Sequence, residues 1–215
     1  MLTTITTTQD TQVLKSATEE LKTKYYKLPN CIPVLVFLLQ KHTDEAVRQL
    51  AGVEAKKLIS PKTWKCKPFA REIRETILRS TLAERSSKVR NASVQLIVAI
   101  ASIDVKLGIW PELATFCQSG AFSDVTEMRV FALNLIYSLL EKDPSLLREV
   151  RYQDLMDLFQ TTLQDPESRE VRQLTLRCLG EFSQQIFRKD KEVYVSPLLA
   201  SADVLELNGF ERCYL

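Results

Sequence analysis

A short motif in which an apolar residue is followed by arginine occurs four times in the sequence at nearly constant spacing. Successive copies lie 42, 39 and 43 residues apart. A turn-forming Asp or Ser precedes each copy, and a small residue follows three or four positions after it. A period of about 40 residues restricts the chain to architectures that stack one repeated unit on the next. The four pairs are Val47–Arg48, Val89–Arg90, Met128–Arg129 and Val171–Arg172.

The stretches between the motif copies have the apolar spacing of α-helices. The pattern predicts two helices per period: an A helix, a short turn containing Asp or Ser, and a B helix that carries the motif. Neither helix can bury its apolar face alone, so neighbouring pairs must stack to form the core. The sequence therefore predicts an all-α, right-handed superhelical solenoid of the HEAT or armadillo type with about five helical hairpins.

The chain divides into three predicted ranges. Residues 1–9 are expected to be a flexible N-terminus, residues 10–187 to form the helical repeats, and residues 188–215 to be the start of a further repeat or a divergent, truncated tail. Ser196-Pro197 is a favourable helix start. We expect residues 193–207 to expose an apolar helix that lacks a B helix behind it, and hence to be sticky.

The motif arginines admit two interpretations because they recur at equivalent places. They can form an inter-repeat ladder, each pairing with an Asp or Glu of the adjacent repeat, or they can contact a partner directly. We favour the ladder, although an exposed ion pair contributes only about 0–1 kcal/mol to stability. The predicted structural ladder consists of Val47, Arg48, Val89, Arg90, Met128, Arg129, Val171 and Arg172.

Charge and cysteine usage argue against several classes of function. The 29 basic and 27 acidic residues give a formal charge of +2, a balance that does not favour direct nucleic-acid binding. The five cysteines are scattered and His42 is the one histidine, so we expect no metal site and a reducing compartment. Charged residues interrupt every apolar run, and the N-terminus lacks a signal-peptide pattern, so we expect no membrane insertion.

No catalytic constellation is found in the sequence. It contains no Gly-rich phosphate loop, and His42 lies in a predicted turn, where an exposed loop histidine is the simpler interpretation than a general base. The cluster Lys62–Lys67 places Trp64 among lysines. We interpret it as a packed tryptophan at a hairpin junction and not as a platform for RNA, because one aromatic is too few. We therefore predict a protein that is not an enzyme and needs no cofactor.

Several runs of residues agree in order and spacing with one family. They are V-R-Q-L-A-G-V-E-A-K-K-L-I from Val47, P-F-A-R-E-I-R-E-T-I-L from Pro68, S-S-K-V-R-N-A-S from Ser86 and W-P-E-L from Trp110. Together with Trp64, these runs resemble the N-terminal domain of importin-β (karyopherin) nuclear transport receptors. The resemblance covers about residues 10–187. It looks closest to the branch that carries ribosomal proteins and histones.

The resemblance implies a nuclear import receptor that moves between cytoplasm and nucleus through the nuclear pore. In this family the N-terminal repeats bind Ran-GTP through the concave B helices. Cargo with a nuclear-localisation signal, such as ribosomal proteins or histones, binds further along the inner surface. Grooves between the outer A helices take the Phe-Gly repeats of nucleoporins.

Carried onto this chain, the resemblance implies that polar residues of the first two B helices bind Ran-GTP. Gly52 would let a partner approach the backbone, although close helix packing explains it equally well. The alternative function is a generic HEAT-repeat scaffold or adaptor, which would ignore the nucleotide state of Ran. The residues implied in Ran binding are Arg48, Gln49, Gly52, Lys56, Asn91 and Gln95.

Overall fold

The computed structural model describes residues 1–65, 67–147 and 150–189, with side chains described as far as residue 184. Every regular element in this part of the chain is helical, and it contains no strand. A π-helical turn, Leu21–Tyr25, extends the second helix, and a 3-10 turn, Pro144–Leu147, follows the ninth. The α-helices are α1 Leu2–Thr7, α2 Thr11–Glu20, α3 Cys31–Lys41, α4 Glu45–Leu58, α5 Pro61–Trp64, α6 Phe69–Ala83, α7 Ser87–Asp104, α8 Glu112–Ala121, α9 Thr126–Lys142, α10 Tyr152–Leu163 and α11 Arg169–Lys189.

Four helix pairs form the hairpins that the motif predicts: α3 with α4, α6 with α7, α8 with α9, and α10 with α11. The apolar motif residue is the third residue of each B helix, α4, α7, α9 and α11. Consecutive B helices pack side by side, and we call these contacts the first joint (α4 on α7), the second joint (α7 on α9) and the third joint (α9 on α11). With the N-terminal α1–α2 unit, this arrangement confirms an all-α HEAT-repeat solenoid of about five helical units.

Polar side chains just before the motif cap three of the four B helices, α4, α7 and α11. The Asp44 carboxylate accepts hydrogen bonds from the first free amides of α4, at 2.7 and 3.1 Å. The Ser86 hydroxyl accepts from the Val89 amide at 3.3 Å, and Ser168 does the same for Val171. Such caps satisfy amides that have no partner within the helix. They place the apolar residue of the motif in the first turn of its helix.

Three of the four apolar positions of the motif are buried in the core. Val47 and Val89 are each 1% exposed and Val171 is fully buried. Met128 is only half-buried, and its side chain lies against Gly120 of α8. The small residues that follow the motif, Ala51, Ala92, Ala132 and Thr175, are all buried.

Trp64 is fully buried where α5 meets the second hairpin. Its indole N–H donates to Asp104 Oδ2 at 2.8 Å, and the same carboxylate oxygen accepts from Arg74 Nη1 at 2.9 Å. Asp104 is itself 1% exposed, so a buried charge is held by two donors. Lys62 and Lys65 remain exposed. The interpretation as a packed tryptophan with solvated lysines is confirmed.

The structure differs from the expectations at both ends of the described chain. Residues 1–9, which we expected to be flexible, contain helix α1, which packs on α4 and buries Leu2. Leu2 is apolar, and its burial gives α1 a hydrophobic contact that an entirely polar segment would lack. Helix α11 continues to Lys189, past the predicted boundary at 187. The expectations for Ser196-Pro197 and for residues 193–207 lie outside the described residues. None of the described helices has the length and apolar character needed to span a bilayer.

Candidate partner-binding face

The turn between each A helix and its B helix has the same construction in all four hairpins. One turn residue uses its side chain to accept a hydrogen bond from the backbone amide two positions later. The backbone carbonyl of the same residue accepts from the motif arginine of its own hairpin. Each motif arginine therefore fastens its own turn to its B helix. The four turn residues are His42, Glu84, Ser123 and Asp165.

Two motif arginines also reach forward to the turn residue of the next hairpin. Arg48 binds Glu84 through two atoms, with Nε 3.0 Å from Oε2 and Nη2 3.2 Å from Oε1. Arg129 places Nε 2.8 Å from Asp165 Oδ2, as an ion pair without hydrogen-bond alignment, and Nη2 3.0 Å from Glu167. Arg48 and Arg129 thus make ladder contacts across the first and third joints.

The other two motif arginines bind backbone only. Arg90 donates to the Glu84 carbonyl at 3.2 and 2.6 Å, and Arg172 donates to the Asp165 carbonyl. Within the part of the chain that the structure describes, neither forms an ion pair. For Arg90 the physical reason is plain, since the next turn residue is Ser123, which has no carboxylate.

The environment of the turn carboxylates lowers their pKa. Burial alone would raise the pKa of Glu84, but hydrogen bonds from the Ser86 amide and from Arg48 outweigh it, so the pKa lies below its usual value. Burial would likewise raise the pKa of Asp165. The amides of Ser168 and Glu167, together with Arg129, instead hold that pKa low. Both carboxylates are therefore stabilised in the charged form.

Four of the six residues implied in Ran binding lie on one surface across the first joint. Lys56 Nζ of α4 donates to Gln95 Oε1 of α7 at 2.9 Å. Gln49 precedes Lys56 by seven residues and Asn91 precedes Gln95 by four, spacings that share a helix face. Lys56 and Asn91 are exposed, while Gln49 and Gln95 are half-buried. We call Gln49, Lys56, Asn91 and Gln95 the B-helix face.

The remaining two residues do not belong to this face. Gly52 is buried between helices, where an added methyl group would stand 3.1 Å from Cβ of Ala92 and 3.3 Å from Cδ1 of Leu39. Its role is close helix packing. The Arg48 side chain is 17% exposed and is engaged by Glu84 and by turn carbonyls.

One contact between B helices was missed by the sequence analysis. At the third joint, the Arg177 guanidinium lies 4.3 Å from the centroid of the Tyr137 ring, a cation–π contact. Tyr137 follows its motif arginine by eight residues, as Lys56 does, and Arg177 follows its own by five, as Gln95 does. Counting from the arginine of each motif would have identified this pair.

A groove of about 500 Å³ opens between the A helices α6 and α8. Guanidinium groups from α6 line one side, and apolar groups before and within α8 line the other. In the described residues, no three His, Cys, Asp or Glu side chains come together as a metal site requires. The lining includes Arg71, Arg79, Leu78, Ile109, Trp110 and Phe116.

Repeated turns, buried motif residues and stacked B helices define a HEAT-type helical-repeat solenoid. Comparison with protein families assigns the chain within that class. Residues 17–98 match the importin-beta N-terminal domain, and residues 85–200 match the family described as IPO5-like, TPR repeats. The second match spans more than half of the chain, so the chain belongs to the importin-β family.

Known relatives agree with this assignment. The chain is 34% identical over 134 residues to probable importin subunit beta-4 of Schizosaccharomyces pombe, which covers 61% of the chain but 12% of the relative. The crystal structure of Kap121p superposes with a TM-score of 0.73 at 19% identity, covering 94% of the chain and 19% of Kap121p. Kap121p bound to RanGTP gives a TM-score of 0.70 at 21% identity, covering 98% and 19%. The chain thus spans less than a fifth of the length of each of these relatives.

Proposed function

We propose that this chain is the N-terminal, Ran-GTP-binding portion of a nuclear import receptor. The observation that carries the proposal is the B-helix face, with Lys56 bonded to Gln95 across the first joint. Both residues lie within the range that matches the importin-beta N-terminal domain. Kap121p, which has the same fold over this range, is known in complex with RanGTP.

The B-helix face has the chemistry to bind an acidic or polar protein surface. Lys56 is exposed although it is hydrogen-bonded, so a carboxylate of the partner can compete for its ammonium group at the expense of one solvent-exposed bond. Asn91 and Gln95 offer both donors and acceptors beside it. Because Lys56 and Gln95 belong to different repeats, a partner held by both is sensitive to the angle between those repeats.

Transport follows from exchange between partners that favour different curvatures. Ran-GTP, bound across repeats, stabilises one curvature, and cargo with a nuclear-localisation signal stabilises another. Such coupling requires each ligand to have a different affinity for the two states. The cargo class extends to ribosomal proteins or histones, and the receptor works in the cytoplasm, in the nucleus and at the nuclear pore. Phe-Gly nucleoporins bind grooves between A helices, which accords with Kap121p being known bound to Nup53p.

A binding assay with Ran loaded with GTP or GDP tests the proposal. Wild-type chain is expected to bind the GTP form more tightly than the GDP form. The double variant Lys56→Glu with Gln95→Glu reverses the charge of the B-helix face and is expected to lose that binding. Lys62→Glu is the matched control, since Lys62 is exposed on α5 and is not one of the residues of this face.

The outcomes separate the proposal from the alternative of a generic scaffold or adaptor. Equal binding of both nucleotide forms would favour the scaffold. GTP-dependent binding that survives in the double variant would retain the function but reject this face as the site. A circular dichroism melt of each variant confirms that a loss of binding is not a loss of fold.

A further inference from the structure

Two contacts between neighbouring repeats recur along the stack. In the turn contact, the motif arginine of one hairpin binds the side chain of the next turn residue, as in Arg48–Glu84 and Arg129–Asp165. In the mid-helix contact, the residue eight positions after one motif arginine meets the residue five positions after the next. Lys56 meets Gln95 in this way. Both contacts are present at the first joint and at the third.

The second joint has neither contact. Ser123 stands where Glu84 and Asp165 stand in their turns, and its single hydroxyl accepts from the Val125 amide at 3.1 Å. The mid-helix positions are occupied by Val98, which is apolar and 5% exposed, and by Asn134. Among the described residues, Arg90 and Asn134 form no side-chain bond across this joint. Two sequence changes at unrelated positions therefore weaken the same place in the stack.

The contacts that remain at the second joint hold it at one end. Lys106 Nζ lies 3.0 Å from Asp143 Oδ2, just after α7 and α9 end, and this ion pair is partly exposed to solvent. Apolar packing along the B helices, which is not directional, continues between the ends. On the A-helix side, the groove of about 500 Å³ separates α6 from α8 at this same joint. Among the described residues, the ion pair across this joint is the partly exposed one, so movement here breaks no buried ion pair between them.

We infer that the second joint is a hinge in the stack. It divides the described repeats into a first block, α3–α7, and a second block, α8–α11, each held together internally by the turn and mid-helix contacts. The B-helix face lies on the first block, and the Tyr137–Arg177 pair lies on the second. A protein partner that touches both blocks would therefore fix the angle between them. The hinge follows from contacts within the chain and does not depend on which protein that partner is.

Distance measurements between two spin labels test the hinge. Labels on Val34→Cys in α3 and Gln160→Cys in α10, both exposed positions, span all three joints. The labels are on the order of 30 Å apart, because packed helix axes lie about 8–10 Å from each other. Cys31, Cys117 and Cys178 are buried, so we expect them not to react with the label in the folded chain. Cys66 and Cys213 are replaced by serine.

The decisive variant is Ser123→Asp, which supplies the carboxylate that Asp165 supplies at the third joint. It retains the bond to the Val125 amide and gives Arg90 an ion-pair partner. The distribution of distances is expected to narrow relative to the parent chain. Adding Arg90→Gln should restore the original width. Ser119→Asp, on the exposed side of α8, is the matched control and should leave the width unchanged.

The reverse variant, Glu84→Ser, gives the first joint the turn chemistry of the second and is expected to broaden the distribution. The melting temperature should rise in Ser123→Asp and fall in Glu84→Ser. Two results would overturn the inference. In the first, Ser123→Asp leaves the width of the distance distribution unchanged. In the second, Ser123→Asp narrows the distribution equally whether or not Arg90→Gln is present. If Ser123→Asp did not fold, an unchanged width in Glu84→Ser would overturn it by itself.

Discussion

Motif arginines with the same local sequence have different environments in this chain. Arg129 is 10% exposed beside Asp165, which is 6% exposed, so their pairing takes place largely out of water. Arg71 and Glu75 form an ion pair of similar length on α6, but their side chains are 83% and 60% exposed. An exposed pair contributes about 0–1 kcal/mol, whereas removing one member of a buried pair leaves an uncompensated charge. Among the motif arginines, Arg129 has a buried carboxylate partner and Arg90 has none within the described residues, because the turn of the next hairpin carries Asp165 in one case and Ser123 in the other.

The apolar residue of the motif gives the first prediction. Val89→Asp should lower the free energy of unfolding by at least about 3 kcal/mol, because it buries a charge with no partner in the first turn of α7. Val34→Asp is the control, since Val34 is 53% exposed on α3. Urea unfolding followed by circular dichroism measures both. Equal stability of the two variants would show that the repeats have been aligned incorrectly.

The helices and their pairing were predictable because the signals that determine them are local. The polar caps of α4, α7 and α11 and the buried third residues of those helices lie within a few residues of the motif. Gly52 was not predictable, because its burial depends on how closely α7 approaches α4, which no local pattern reveals. Helix α1 was missed because one buried leucine is too little signal. The Tyr137–Arg177 pair required comparison of repeats at fixed distances from the arginine.

Turn carboxylates at the hairpin ends give the second prediction, a dependence of stability on pH. The pKa of Glu84 is lower in the folded chain than its ordinary 4.5, and that of Asp165 is lower than its ordinary 3.8. A lowered pKa contributes stability above the ordinary value, and this stability is lost as the pH falls through the folded value. Asp143 has a pKa of about 2, so the stability that its charged form contributes is lost at lower pH.

Glu84→Gln should therefore be less stable than wild type at neutral pH and should lose less stability on acidification below about pH 4.5. Glu141→Gln, at an exposed position of α9, is the control and should follow the wild-type profile. Thermal melts at a series of pH values provide the measurement. Parallel profiles for wild type and Glu84→Gln would contradict a charged Glu84 in the folded turn.

Stability in a solenoid is a sum over repeats and over the joints between them, because each repeat contacts only its neighbours. Among the residues that the structure describes, the buried ion pairs that join neighbouring hairpins fall at the first and third joints. A molecule built this way need not unfold as one cooperative unit, and local opening can follow the blocks that its strong joints define. The set of helices that lose local stability after a mutation therefore shows how strongly each joint couples its two repeats.

The third prediction concerns which helices lose hydrogen-exchange protection when a buried ion pair is removed. Arg129→Met should lower hydrogen-exchange protection in α9 and α11, by up to about 3 kcal/mol, because Asp165 loses its cation while remaining buried. Protection in α4 and α6 should change little. Arg48→Met, which leaves Glu84 without its cation, should lower protection in α4 and α6 and change it little in α9 and α11. Arg71→Met, at an exposed pair, should change protection in neither block. If Arg129→Met or Arg48→Met lowered protection equally in all helices, the second joint would couple the repeats as strongly as the other two.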